Sequence, residues 1–127
     1  MATLLTPAWA VILAGGDGTR LRPLTAQIAG DCRPKQFCPL LDGESLLDRT
    51  CRRVDLLFRF DRQVVVVSRP HEAYYGYLNR KLMPGRLVVQ PANRDTGPGV
   101  LYSLLRVAAL AGNVPVAVVP CDHHVSA

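Results

Sequence analysis

The sequence predicts an α/β fold: a Rossmann-like, three-layer α/β/α arrangement around a mostly parallel sheet. Three observations predict it. Four short apolar runs rich in β-branched residues recur along the 127 residues, each of a length and composition suited to a buried strand. Stretches with apolar residues at helical spacing separate them. The resulting order, β-α-β-α-β-α-β, is the one in which short crossovers place successive strands parallel and cover the sheet with helices. A hydrophobic content of 49% against a charged content of 20% belongs to a globular chain with a core rather than to a disordered one.

The first strand is expected over residues 8–13, where an apolar run from Trp9 to Leu13 precedes a break. Residues 14–34 follow as a long loop punctuated by Pro23, Gly30 and Pro34; loops of this length inside a small domain generally carry function. Ser45 opens a helix as its N-cap, with Asp48 at the third helical position as a short-acid variant of the capping box. Leu47, Thr50, Cys51, Val54, Leu57 and Phe58 recur on one face of that helix, and Arg49, Arg52, Arg53 and Arg59 take the outer face or its margins. A second strand is expected over 63–67, a second helix over 71–82 ended by Pro84 and Gly85, and a third strand over 87–90. A third helix is expected over 100–111, apolar through Leu101, Leu104, Leu105 and Ala108, and a fourth strand over 116–119. His71, near the start of the second helix, has no acid or nucleophile beside it in the sequence and reads as a surface histidine.

The loop after the first strand carries the strongest chemical signal. Ala14-Gly15-Gly16-Asp17-Gly18-Thr19-Arg20 places three glycines within four positions, directly before an arginine. Glycine allows positive φ and lets a ligand touch the backbone. Successive backbone N–H groups in such a turn can converge on an anion, and the planar guanidinium of Arg20 suits phosphate oxygens. An ordinary strand-to-helix turn needs neither the third glycine nor the arginine. The dinucleotide fingerprint fails because Leu21 stands where its last glycine would be, and a P-loop fails because no lysine precedes Lys35. The loop therefore reads as a nucleotide phosphate site at the carboxyl end of a first strand.

The three candidate loops, after strands one, three and four, are expected on the same edge of the sheet. Lys35, one of only two lysines and held behind Pro34, is a candidate phosphate clamp. The run from Gln90 through Asn93 to Thr96 is rich in side-chain amides and hydroxyls, groups that read a base edge; Asp95 or Thr96 also suits the N-cap of the next helix, and one loop can do both. Asp122 follows the fourth strand. A carboxylate at the tip of a buried strand needs a partner, and beside a nucleotide a divalent metal is the natural one.

Other classes are disfavoured. The net charge of +5 suits anionic small molecules, but no basic run is interleaved with aromatics as nucleic-acid surfaces require. No apolar run approaches membrane-spanning length. The N-terminus lacks a basic segment followed by a signal-like apolar stretch, so a cytoplasmic location is expected. Cys32, Cys38, Cys51 and Cys121 form no metal-binding spacing and are expected as free thiols, with Cys51 packed in the core. His123 and His124, adjacent on a strand end, point apart and complete no zinc site.

At this point the sequence resembles a known family, the sugar-phosphate nucleotidyltransferases. The stretch from Ala14 to Leu21 is similar to the family's glycine-rich signature. Pro34-Lys35-Gln36-Phe37, Asn93-Arg94-Asp95-Thr96 and Pro120-Cys121-Asp122-His123 resemble the branch that makes GDP-mannose, the mannose-1-phosphate guanylyltransferases. The resemblance covers residues 9–124 and implies the nucleotide-diphospho-sugar transferase fold, with residues 1–127 as the N-terminal nucleotide-binding part of an NTP transferase domain. It implies that Ala14, Gly15 and Gly16 lie against the nucleotide and that Gly18, Thr19 and Arg20 hold the triphosphate. It further implies that Lys35 contacts the phosphates at the reacting centre, with Arg20 the second catalytic cation. Gln90, Asn93 and Thr96 would sit near base and ribose, and Asp122 would help bind Mg²⁺. The implied partners are a nucleoside triphosphate and a sugar-1-phosphate, with neither nucleic acid nor membrane, and a homo-oligomer is compatible with them. Departures from the branch pattern are Arg22 where tryptophan is usual, Cys121 for serine, and Gly97 and Gly99 for alanines; the amides of Gln90 and Asn93 suit guanine, uracil or thymine alike. Family members continue past the fourth strand, so this chain is expected to be truncated: a fragment, an excerpted domain or a short relative. A nucleotide-binding module without catalysis and a glucose-1-phosphate thymidylyl- or uridylyltransferase are the alternatives.

Overall fold

Alternating valines build the centre of the sheet. In a computed structural model of the chain, residues 7–16, 26–27, 30, 33–39, 43–92 and 96–121 are described. The strands are β1 (Trp9–Leu13), β2 (Gln63–Ser68), β3 (Leu87–Gln90) and β4 (Val116–Pro120). They pair in the order β3-β2-β1-β4, and every pair is parallel. In β2, Val65 and Val67 point to one face and Val64 and Val66 to the other, as the two-residue period of a strand requires. Both faces are covered, so β2 is buried from end to end.

The helices divide between the faces. Helices α1 (Leu46–Asp55), α2 (Glu72–Tyr75) and α3 (Leu78–Lys81) cover one side, packing Leu47, Cys51, Val54, Tyr75 and Leu78 against Ala10, Ile12, Val65 and Val67. Helix α4 (Thr96–Ala111) covers the other, where Val107 meets Trp9, Val11, Val64, Val66 and Val88. The chain travels one way from β1 to β2 to β3, then returns over the opposite face to place β4 on the far side of β1. Right-handed crossovers demand that change of face when the direction reverses. The reversal makes the gap between the carboxyl ends of β1 and β4 the switch point, the place where such sheets leave a crevice.

Three expectations change. The second helix is not continuous over 71–82: a 3-10 turn at Arg69–His71 leads into α2, and Gly76 then ends that helix before α3 begins. Glycine is a poor helix interior, and the Gly76 N–H closes the last bond of α2 onto Glu72. His71 is buried rather than on the surface, with its ring edge-on to Phe37 at 6.1 Å; the 3-10 turn aims it inward. The third helix begins four residues early, at Thr96, and presents its leucines outward: Leu101 is 59% and Leu105 62% exposed, while Ser103 and Val107 are buried. β4 is half-exposed and is an edge strand among the described residues.

The cap of α1 stands as expected in one half only. The Asp48 N–H donates to Ser45 Oγ at 3.0 Å, but the Asp48 carboxylate accepts from the Tyr77 hydroxyl at 2.7 Å instead of returning to the Ser45 backbone. Ser45→Ala should therefore cost about 1 kcal/mol in a urea titration, while Ser45→Asp retains an acceptor and most of the stability.

Cys38, Cys51 and Cys121 are buried. Burial pushes the Cys51 thiol from 9.0 up to about 11, with Asp48 and Asp55 adding to the rise and Lys81 opposing it. The unfolded chain loses this proton first as the pH rises, so the contribution is whole below pH 9.0 and fades toward about 11. A difference of that size corresponds to roughly 3 kcal/mol. In alkaline denaturation curves, Cys51→Ala should lose less stability than the parent over that window.

Candidate functional site

The carboxyl end of β1 runs into a segment whose carbonyls are all taken up by side chains. Leu13 O accepts from Cys121 Sγ at 3.0 Å, at the end of β4. Ala14 O and Gly16 O both accept from Gln36 Nε2, at 2.9 and 2.8 Å. Gly15 O accepts from Ser68 Oγ at 2.7 Å, at the end of β2. Four consecutive carbonyls are thus held by three separate elements. The Ala14 N–H continues the sheet, donating to Val66 O at 2.8 Å. The N–H groups of Gly15 and Gly16 meet no acceptor among the described residues.

In a trans peptide the N–H points opposite to the carbonyl of the same plane. Fixing Ala14 O on Gln36 and Gly15 O on Ser68 therefore turns the Gly15 and Gly16 N–H groups away from those side chains. The arrangement leaves two oriented donors at the switch point, with their polar counterparts already satisfied. Gly16 itself is exposed, and a Cβ there would meet nothing within 4 Å.

Neither Gly15 nor Gly16 has a positive φ. Among the described glycines, only Gly30, Gly43, Gly85 and Gly112 have it. At Gly15 the demand is space: a Cβ would lie 2.8 Å from Gln90 Nε2 and 3.0 Å from Ser68 Oγ. A Cβ on Gly99, in the first turns of α4, would also crowd this amide, at 3.2 Å from Gln90 Nε2. The Gln90 side chain thus lies close to both the loop after β1 and α4, and it is 5% exposed.

Lys35 begins a 3-10 turn, Lys35–Phe37. Phe37 anchors that turn in the core, packing against His71 and, at 5.9 Å between centroids, Tyr74. Gln36 ties it to the glycine segment. Lys35 itself stays half-buried between these two anchors. The structure therefore brings together Ala14, Gly15, Gly16, Gln90 and position 35. Arg20, Gly18, Thr19, Asn93 and Asp122 lie outside the described residues, and of Thr96 only its place as the first residue of α4 is described.

Sequence reasoning missed Gln36, Ser68 and the bonding role of Cys121. Ser68 closes a valine-rich strand and Gln36 follows the lysine that drew attention; neither has a periodicity or composition signal. Their burial, at 4% exposed for Gln36 and 0% for Ser68, is visible only in three dimensions. No group of His, Cys, Asp or Glu that could hold a metal occurs among the described residues. Mg²⁺ prefers one or two carboxylates with substrate phosphates completing its shell; Asp122, next in sequence to Cys121, is a carboxylate that lies outside the described residues. No helix is long and apolar enough to cross a membrane among the described residues.

Gly15→Ala should destabilise the fold by about 1–3 kcal/mol through overpacking against Gln90 and Ser68. Gly16→Ala should remain within about 0.5 kcal/mol of the parent. Denaturant melts of the two variants side by side check the contrast.

Comparison with known proteins adds a family. Residues 10–125 match the MobA-like NTP transferase domain. A mannose-1-phosphate guanylyltransferase of Escherichia coli is 32% identical over 124 residues, 94% of this chain and 26% of that protein. The alginate biosynthesis protein AlgA of Pseudomonas fluorescens is 33% identical over 116 residues, 89% of this chain and 23% of that protein. The crystal structure of mannose-1-phosphate geranyltransferase from Thermus thermophilus superposes with a TM-score of 0.77 at 34% identity, over 94% of this chain and 33% of that one. The chain thus spans about a quarter of the length of these curated relatives.

Proposed function

The chain belongs to the family of MobA-like NTP transferase domains, and from that premise we propose that it transfers a nucleotidyl group to a sugar-1-phosphate with release of pyrophosphate. The donor is GTP and the acceptor mannose-1-phosphate, a reading supported by the mannose-1-phosphate guanylyltransferases among its relatives. The observation that carries the proposal is the glycine segment. Its carbonyls are bonded to Cys121, Gln36 and Ser68, and its N–H groups at Gly15 and Gly16 are left to meet an anion. The same proposal assigns the chain to the cytoplasm.

In the proposed reaction an oxygen of the sugar phosphate attacks the α-phosphorus of the triphosphate. A new P–O bond forms, and the bond to the bridging oxygen breaks with its electron pair leaving on pyrophosphate. The acceptor is already anionic, so no side-chain base is required. The protein's contribution is alignment and charge neutralisation. Ala14, Gly15 and Gly16 bind the nucleotide along the loop, Gly18, Thr19 and Arg20 hold its phosphates, and Lys35 meets the charge that shifts toward the leaving group. Gln90, Asn93 and Thr96 orient base and ribose. Mg²⁺, held by Asp122 and the phosphates, would offset charge on the α-phosphate and the pyrophosphate.

Calorimetric titration with GTP, dTTP and UTP in the presence of Mg²⁺, followed by pyrophosphate-release assays with mannose-1-phosphate and glucose-1-phosphate, tests this. GTP binding and release only with mannose-1-phosphate is the expected result. A preference for dTTP or UTP with glucose-1-phosphate moves the chain to the other branch, and binding without release assigns it a nucleotide-binding role. Lys35→Ala should lower kcat by ~10²–10³-fold while changing GTP affinity far less. Equal loss in both would remove Lys35 from the reacting centre.

A further inference from the structure

The glycine segment and the Lys35 turn are separated by 18 residues of sequence between Gly16 and Lys35, yet one side chain joins them. Gln36 sits 4% exposed with both amide protons committed, one to Ala14 O and one to Gly16 O. Each bond spans at least 20 positions of sequence. A glutamine in such a place is demanding: burying an amide is unfavourable unless its donors are satisfied. The two carbonyls it holds flank Gly15 at alternate positions, so the single amide sets two peptide planes at once. Ser68, on the neighbouring strand, sets the plane between them.

We propose that Gln36 is a positioning residue for the phosphate site: its amide fixes the direction of the Gly15 N–H and, through the backbone, the place of Lys35 against it, and it braces from both sides the peptide plane in which Ser68 sets the Gly16 N–H. This rests on the nucleotide-binding reading above and assigns that site a further determinant. Gln36 touches no ligand in this account. It acts by holding carbonyls, so that the N–H groups are oriented before a polyphosphate arrives and none of the ligand's binding energy is spent on ordering them. A hydrophobic or anionic replacement would leave the buried Ala14 O without a donor, release Gly16 O, and let the peptide planes rotate.

The chemistry of glutamine provides a discriminating test. Gln36→Glu keeps the shape, but an ionised carboxylate donates nothing and repels both carbonyls; protonated, it donates one bond. Burial raises the pKa of the introduced carboxyl, so its protonation falls within a workable pH range. Binding of GTP with Mg²⁺ to this variant, measured at about pH 8, should be at least ~10-fold weaker than the parent's, and the deficit should shrink as the pH is lowered toward about 6. The parent titrated in parallel removes the pH dependence of GTP itself. Gln36→Met, which lacks any donor, should be weak at both pH values, and it replaces Gln36→Glu if that variant does not fold. A merely structural role would lower the melting temperature of the variants without a pH-dependent recovery of binding confined to Gln36→Glu. The inference is overturned if the parent binds GTP and the variants bind it equally well. Amide resonances of Gly15 and Gly16 in the nitrogen-15-labelled, nucleotide-free chain separate the two proposals. If the parent binds neither GTP nor tripolyphosphate, the nucleotide-binding reading fails on its own, and the positioning role is then decided by those signals. Displacement or broadening in Gln36→Met sustains it, and unchanged signals refute it.

Discussion

Four backbone carbonyls, from Leu13 to Gly16, decide how this molecule presents its backbone at the carboxyl end of β1. Each accepts a hydrogen bond from a side chain: Cys121 at the end of β4, Gln36 beside Lys35, and Ser68 at the end of β2. A chain leaving a buried parallel strand loses its ladder partners abruptly, and its polar groups must be satisfied by other means. Here the acceptors are satisfied internally and the donors at Gly15 and Gly16 are not. That asymmetry gives an electropositive segment of backbone without a single charged residue.

The asymmetry depends on the sheet order. Because β4 returns to the free side of β1, Cys121 reaches Leu13 from one flank while Ser68 reaches Gly15 from the other. A sheet wound in one direction only would leave one flank of β1 without that neighbour. The same reversal sends α4 across the opposite face, where Gly99 admits the Gln90 amide that also closes on Gly15. Packing and site are therefore one construction: the glycines at 15 and 99 are both set by the volume of Gln90.

The structure is uneven in its finish. The face carrying α1 to α3 buries its apolar residues well, and Phe37, His71 and Tyr74 extend that cluster beneath the Lys35 turn. On the other face Ser103, Val107 and Gly99 are the buried positions of α4 among the described residues, while Leu101, Leu104, Leu105 and Leu110 stand outward and β4 is half-exposed. The relatives with which the chain aligns are about four times as long.

The sequence by itself determined the strands, the parallel winding and the location of the glycine segment. These follow from local properties: β-branched runs, helical spacing, and glycines that break a strand. β3 was legible to the residue, and the Ser45 cap to the atom that accepts. Only the tertiary structure decided which side of α4 faces the sheet, that His71 turns inward against Phe37, and that Gln36, Ser68 and Cys121 converge on one stretch of backbone. Those outcomes rest on contacts between residues as many as 108 positions apart. A glutamine, a serine and a cysteine leave no periodic trace by which a reader of the chain could pair them with the carbonyls they hold.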